Sequence, residues 1–180
     1  MKRIFIIFVM LVAICSTAES KAQKKVFLNE YNRLLQWQTN PTYARTMELT
    51  HFTGEMLQMM VKSNDSKTQN LIKRINSIYQ IKITDNTSGV GGGVIRALKH
   101  ITREGKYDSA GIFTTNGVKY EIYRTALRDL NEYLIFITSG KQTLVCDIYG
   151  AVGYKEILAM IFPSQPKIEN MDIIDTLKTQ

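Results

Sequence analysis

From Tyr107 onward the chain leaves helical spacing for period two, and this switch constrains the fold more than any other feature of the sequence. Residues 110–115 and 118–125 alternate about Asn116-Gly117, the dipeptide that closes a hairpin most readily because both of its positions accept positive φ. A second pair of strands, 132–138 and 142–149, flanks Ser139-Gly140-Lys141. Tyr133-Leu134-Ile135-Phe136-Ile137 is apolar at both parities, so both its faces are buried and the strand belongs at the centre of the sheet. On strand 118–125, Lys119, Glu121 and Tyr123 share one parity and are expected to face solvent, the usual protection of an edge.

The first half of the chain is mostly helical in pattern. Phe27, Leu28, Tyr31, Leu34 and Leu35 fall on one helical face over residues 27–36, and Asn40-Pro41 ends that run. Residues 43–49 predict a short strand, and 50–62 a Met-rich helix carrying Phe52, Met56, Leu57, Met59 and Met60. Asn64-Asp65-Ser66 breaks the chain and caps a helix with Leu71, Ile72, Ile75 and Ile78, followed by a half-buried strand at 79–84. After an interruption at 85–93, a helix sets Val94, Ile95, Leu98 and Ile101 against Arg96, Lys99, His100 and Arg103. A last helix spans 154–162, and Pro163 begins a polar stretch. Helices first and an antiparallel meander second predict an α+β fold. Its form is a single domain over 23–166, mainly an antiparallel sheet packed on one face by helices, with a polar C-terminal tail at 167–180.

The N-terminus reads as an address. Lys2-Arg3 precedes an apolar run of 11 residues, 4–14, too short for the ~20 residues that span a bilayer and of the length of a signal-peptide core. Ala18 or Ala22 ends a small-residue cleavage site. Cleavage after Ala22 removes residues 1–22 and leaves Gln23 first. The competing reading makes Cys15 a lipoprotein cysteine, but Ile14 before it is branched where a small residue is needed. The full chain has 23 Lys+Arg against 16 Asp+Glu, a formal charge of +7. Without Lys2, Arg3, Lys21 and Glu19 the balance is 20 against 15, or +5. That modest excess on an exported chain gives no footprint for nucleic acid. Loss of Cys15 would leave Cys146 alone, so a disulfide framework is excluded.

Candidate sites are few. The run Gly89-Val90-Gly91-Gly92-Gly93 follows a strand and opens a helix, where free N–H groups hold anions, so Gly91, Gly92 and Gly93 with Arg96 and Lys99 form a candidate anion site. Val94 stands where a dinucleotide fingerprint needs glycine, and no Gly-Lys-Ser/Thr follows; a linker is the plainer reading. His51 and His100 are isolated from further ligands, and Cys146 shares parity with Leu144 and Ile148 as a small buried hydrophobe. No nucleophile elbow or paired carboxylates stand out, so no catalytic, metal or cofactor residue is assigned. Met56, Met59 and Met60 offer either core filling or an adaptable binding face. The basic side of the helix, Arg96 to Arg103, reads as solvated or as a contact for an anionic surface.

The order and texture of several segments resemble a known group. A signal peptide precedes the strand at 43–49 and Glu55-Met56-Leu57-Gln58-Met59-Met60. Leu71-Ile72-Lys73-Arg74-Ile75-Asn76-Ser77-Ile78 then leads into Ile81-Lys82-Ile83. Tyr120-Glu121-Ile122-Tyr123, the apolar strand 133–137 and Asp147-Ile148-Tyr149-Gly150 complete the series. Over residues 28–161 this resembles the small exported proteins of Bacteroidota grouped as domain of unknown function 4252. The final segment departs from the family's Gly-Asp-Ile turn, since here the glycine follows. The resemblance implies a protein of the periplasm or cell envelope without enzymatic residues, and no site residue is carried over from it. The expectation is therefore a non-enzymatic module that binds an envelope protein or surface component, with no cofactor and no membrane span once the signal is removed. Its alternatives are an anion- or phosphate-binding enzyme centred on 89–93 and a lipoprotein tethered through Cys15. The sequence leaves the oligomeric state open.

Overall fold

The computed structural model describes residues 25–61 and 66–162. In chain order the elements are α1 (Lys25–Trp37), α2 (Pro41–Thr46), β1 (Met47–Thr53), α3 (Gly54–Met60), α4 (Ser66–Lys73), β2 (Ile75–Ile83) and α5 (Gly89–Glu104). Four strands follow, β3 (Asp108–Thr115), β4 (Val118–Leu127), β5 (Leu130–Ser139) and β6 (Gln142–Gly150), and α6 (Tyr154–Ile161) closes the series. The six strands form one antiparallel sheet in the order β1-β2-β6-β5-β4-β3. The α+β class and the single sheet are as the sequence predicts, and β5 and β6 occupy its centre. The cleavage sites, Cys15, Asn64-Asp65 and the tail at 167–180 lie outside the described residues.

Helical cover extends to both faces. On the first face Phe27, Tyr31 and Leu34 of α1 and Val94, Leu98 and Ile101 of α5 pack on Met47, Ile81, Ile83, Leu134, Phe136 and Val145. On the second, Ile157 of α6 packs with Ile75, Ile78, Ile122, Tyr133, Ile135, Cys146 and Ile148, and Leu57 and Leu71 lie against them. Each fully buried Leu, Ile or Phe removes enough apolar surface from water to be worth about 1.5–3 kcal/mol, so a central strand that is apolar at both parities demands cover on both sides. The expectation of helices over one face is corrected on this point. The short α3, α4 and α6 close the second face.

Local register explains the other differences. The Asn40 carboxamide accepts the Thr42 N–H at 3.0 Å, and Pro41 sits where a helix needs no N–H donor, so this pair starts α2 instead of only stopping α1. The strand predicted at 43–49 is therefore displaced to Met47–Thr53. Pairing of Met47, Leu49 and His51 with Ile83, Ile81 and Tyr79 draws His51 and Phe52 out of the predicted Met-rich helix. Ile75 and Ile78 belong to β2, not to a helix. A bulge between Ile75 and Ser77 lets two residues three apart face the same side, which imitates helical spacing. On β4, Glu121 and Tyr123 face the α5 side instead of solvent, and Glu121 is buried. The hairpin turn forms at Asn116 (φ 51°) and Gly117 (φ 75°) as predicted.

Candidate functional site

The glycine run is helix, not linker. Ser88 caps α5: its hydroxyl accepts the Gly91 N–H at 2.9 Å and donates to the Asp85 carbonyl at 2.8 Å, and its own carbonyl accepts the Gly92 N–H at 2.9 Å. The helix start presses so closely on the preceding turn that a Cβ on Gly91 would lie 2.0 Å from the Asp85 carbonyl oxygen. One on Gly92 would lie 3.3 Å from that of Asn86, and one on Gly89 would meet nothing. Gly91 is thus dictated by a close approach of backbone to backbone. The Arg96 guanidinium does reach back over Gly92 and Gly93. Lys99 does not join them. It lies about 9–12 Å further along the axis, and its ammonium is 2.8 Å from Glu121 Oε2 and 5.7 Å from the centre of the Phe136 ring. A negative charge already stands at this helix start, since Asp85 accepts both the N–H (3.0 Å) and the hydroxyl (2.6 Å) of Thr87. Those hydrogen bonds hold its carboxyl below the usual range. The Ser88 hydroxyl satisfies the Gly91 N–H, and the Asp85 carboxylate is engaged by Thr87, one residue before the helix cap.

The remaining titratable candidates are engaged or sealed. His100 Nε2 is 3.2 Å from Glu104 Oε1, and His51 stacks on Tyr79 with ring centres 4.0 Å apart. Glu121 is pushed up by burial and pulled down further by hydrogen bonds and charge from Lys99 and Lys119, so it titrates below the ordinary carboxylate value. Cys146 is buried on the second face with Leu144 and Ile148. Burial, then the charge of Asp147, pushes its thiol up to about 12, the opposite of what a nucleophile needs. Among the described residues no group of three or more His, Cys, Asp or Glu is placed to hold a metal ion.

Sequence reasoning missed a polar row under the first-face helices. Ser77, Tyr149, Glu132 and Thr125 lie opposite one another across β2, β6, β5 and β4, and Asp147 follows one step along β6. Glu132 and Asp147 are both 0% exposed. The Tyr107 hydroxyl, just past the end of α5, donates to Glu132 Oε1 at 2.6 Å. Burial, then the charges of Glu132 and Asp147, drives the Tyr107 phenol far above its ordinary value, so it remains a donor at every working pH. The hydroxyls of Ser77 and Tyr149 are buried with no hydrogen-bond partner among the described residues. The signal was present in the parity of the strand, since Asp147 alternates with Val145 and Tyr149 on the inward side. Two carboxylates here suit acid–base chemistry by type, but no substrate reaches a side chain with zero exposure.

The methionines behave differently from the core-filling expectation. Helix α3 is one short segment, capped where the Thr53 hydroxyl accepts the Met56 N–H at 3.3 Å. Its Leu57 packs on the second face, leaving Met56, Met59 and Met60 exposed by 39%, 68% and 63%, and Val61 beside them by 40%. Seven residues supply too few inward positions for four large apolar side chains. The basic side of α5 is solvated at Arg96, His100 and Arg103. No helix among the described residues is long and apolar enough to cross a membrane. No protein-family model matches the chain, and no curated protein matches it in sequence.

Proposed function

We propose that the chain is an exported, non-enzymatic interaction module of the cell envelope, and that α3 is its docking element. The observation that carries this reading is the exposure of Met56, Met59 and Met60 on a single capped helix, with Val61 exposed at its C-terminal cap. Scattered exposed apolar residues need no explanation, but a cluster marks a surface that is covered in use. Methionine suits such a surface because its unbranched thioether adapts to irregular partners. The occupant that fits is an apolar face of another envelope protein, rich in alkyl and aromatic side chains. Export rests on Lys2-Arg3 and the apolar run at 4–14, and the periplasm or envelope address also draws on the resemblance to domain of unknown function 4252. What supports the absence of catalysis is local. The buried carboxylates are sealed, the buried thiol is held protonated, and the helix start at Gly91 is capped by the chain itself.

The test compares wild-type chain with the double variant Met59→Glu/Met60→Glu as bait in solubilised envelope. Both positions are solvated, so the variant should unfold within about 0.5 kcal/mol of wild type. The expected result is one stoichiometric partner protein recovered by wild type and lost with the variant. Recovery of the same proteins by both baits would refute α3 as the docking element.

A further inference from the structure

We infer that α3 binds a soft monovalent metal ion, Cu(I) or its congener Ag(I), through the thioethers of Met56, Met59 and Met60. The inference goes beyond the docking role of α3 and does not rest on it. Six large apolar side chains among the described residues are exposed, and three of them are these methionines, within five consecutive positions. The other three, Leu35, Val61 and Ile112, are scattered along the chain. Aliphatic and aromatic residues make apolar surface as readily as methionine, so what sets this group apart is three accessible sulfurs side by side.

Helix geometry gathers the three on one flank. Each residue advances about 100° around an α-helix, so Met60, Met56 and Met59 stand about 60°, 100° and 160° round from the inward-facing Leu57, all in one direction. Met56 neighbours both Met59 and Met60, at the i+3 and i+4 spacings that put Cβ atoms about 5–6 Å apart. Each sulfur lies two bonds beyond its Cβ on an unbranched, rotatable chain. The three can therefore close to the ~4 Å that separates ligands around one ion at a metal–sulfur distance of about 2.3 Å. The frame beneath them is fixed. The Thr53 hydroxyl accepts the Met56 N–H at 3.3 Å, and the Val61 N–H donates to the Leu57 carbonyl at 3.0 Å. At Gly54 the chain lies so close to β2 that a Cβ would be 2.6 Å from the Ile75 carbonyl oxygen. Ligands carried on an anchored helix need less ordering when the ion arrives.

The donor set selects the ion. A thioether is neutral, soft and polarizable, and it suits Cu(I), whereas Zn(II) and Cu(II) draw on imidazole and Mg(II) and Ca(II) on oxygen. Among the described residues no three His, Cys, Asp or Glu are grouped to compete as a harder site. The other soft donors are withheld: Met47 is 2% exposed, and the Cys146 thiol is buried and held protonated. Glu55 stands four residues before Met59 on the same helix, so its carboxylate borders the flank and offsets the charge of the ion. Coordination changes no oxidation state, since the metal enters and leaves as the monovalent ion.

Methyl NMR of the purified protein, labelled at the methionine ε-carbon and titrated without oxygen with Ag(I) or Cu(I), tests the inference. The resonances of Met56, Met59 and Met60 should move together and level off at one ion per chain. Met47 should stay in place, and Zn(II) should move none of the four. The triple variant Met56→Leu/Met59→Leu/Met60→Leu keeps the side-chain volume and Cys146, so it should retain the wild-type unfolding midpoint and lose the bound ion. Each single Leu variant should bind more weakly than wild type. Methionine resonances that ignore excess Ag(I), the same uptake by the triple variant, or an equal response to Zn(II) would overturn the inference. A single variant that binds as tightly as wild type would overturn the three-sulfur site. No partner protein is present in the titration, so its outcome is independent of whether α3 also docks one.

Discussion

Substituting the glycines at the start of α5 one at a time gives the sharpest check on the local physics. Gly93 lies within the helix, and a Cβ there approaches nothing nearer than an Arg96 guanidinium nitrogen at 4.0 Å. Gly93→Ala therefore removes unfolded-state freedom and should stabilise by about 0.5–1 kcal/mol. Gly91→Ala places the same methyl 2.0 Å from the Asp85 carbonyl oxygen and 3.1 Å from Ile83 Cγ2. Relief requires the turn at 85–88 to move, which costs about 1–3 kcal/mol as overpacking. It also loosens the Ser88 cap, worth about 1 kcal/mol. Set against the same entropic gain, the net expectation is a loss of about 2–3 kcal/mol. For a domain of this size 1 kcal/mol moves Tm by about 2–4 °C. Thermal or urea unfolding should thus show Gly93→Ala rising by about 2–3 °C and Gly91→Ala falling by about 5–10 °C. Equal stability of the two variants would refute the close approach and return the run to the status of a linker.

The buried Cys146 thiol, raised to about 12, should be inert to iodoacetamide in the native state and react only as the molecule opens, in a chain with Cys15→Ser; labelling as fast as that of a free cysteine would place it at the surface. Glu121 titrates below the ordinary value when folded and near 4.5 when unfolded. Its contribution is therefore complete above the unfolded pKa and lost as pH falls through the folded one. Urea titrations from about pH 6 to 3 should show wild type losing more stability than Glu121→Gln, by about 1 kcal/mol; parallel curves would contradict the pairing with Lys99 and Lys119.

The second half of the chain was legible because strands 3 to 6 are sequential and two of their three turns carry glycine, Gly117 and Gly140; the third, Arg128-Asp129, holds Arg128 at φ 60° without such a signal. Tyr133 to Ile137 carried the sheet centre, since apolar residues at both parities admit only two-sided cover. The first half was harder. Ile75 and Ile78 reach one side through a bulge, and His51 and Phe52 are held in β1 only by their partners on β2, a pairing across more than 25 residues that local periodicity does not encode. Asn40-Pro41 was read as a stop because the residue before proline is pushed out of the helical region; Asn40 is indeed extended, and the same geometry lets it cap α2 with Pro41 at the first position. For the candidate site, the glycine run attracted attention by composition, and the structure places it in the first turn of a helix, where Gly91 meets a close approach of backbone. The exposed methionines became visible only when α3 turned out too short to bury them.

Methionine oxidation by dilute peroxide, compared between purified protein and the intact cells that make it, tests α3 as a covered docking surface most directly. In the purified protein Met56, Met59 and Met60 should oxidise rapidly, while Met47, 2% exposed, should resist and serve as the internal reference. The account predicts that in cells the three α3 methionines become selectively protected relative to Met47, as expected if a partner covers them. Equal rates in the two settings would leave α3 bare in use and contradict the proposed function.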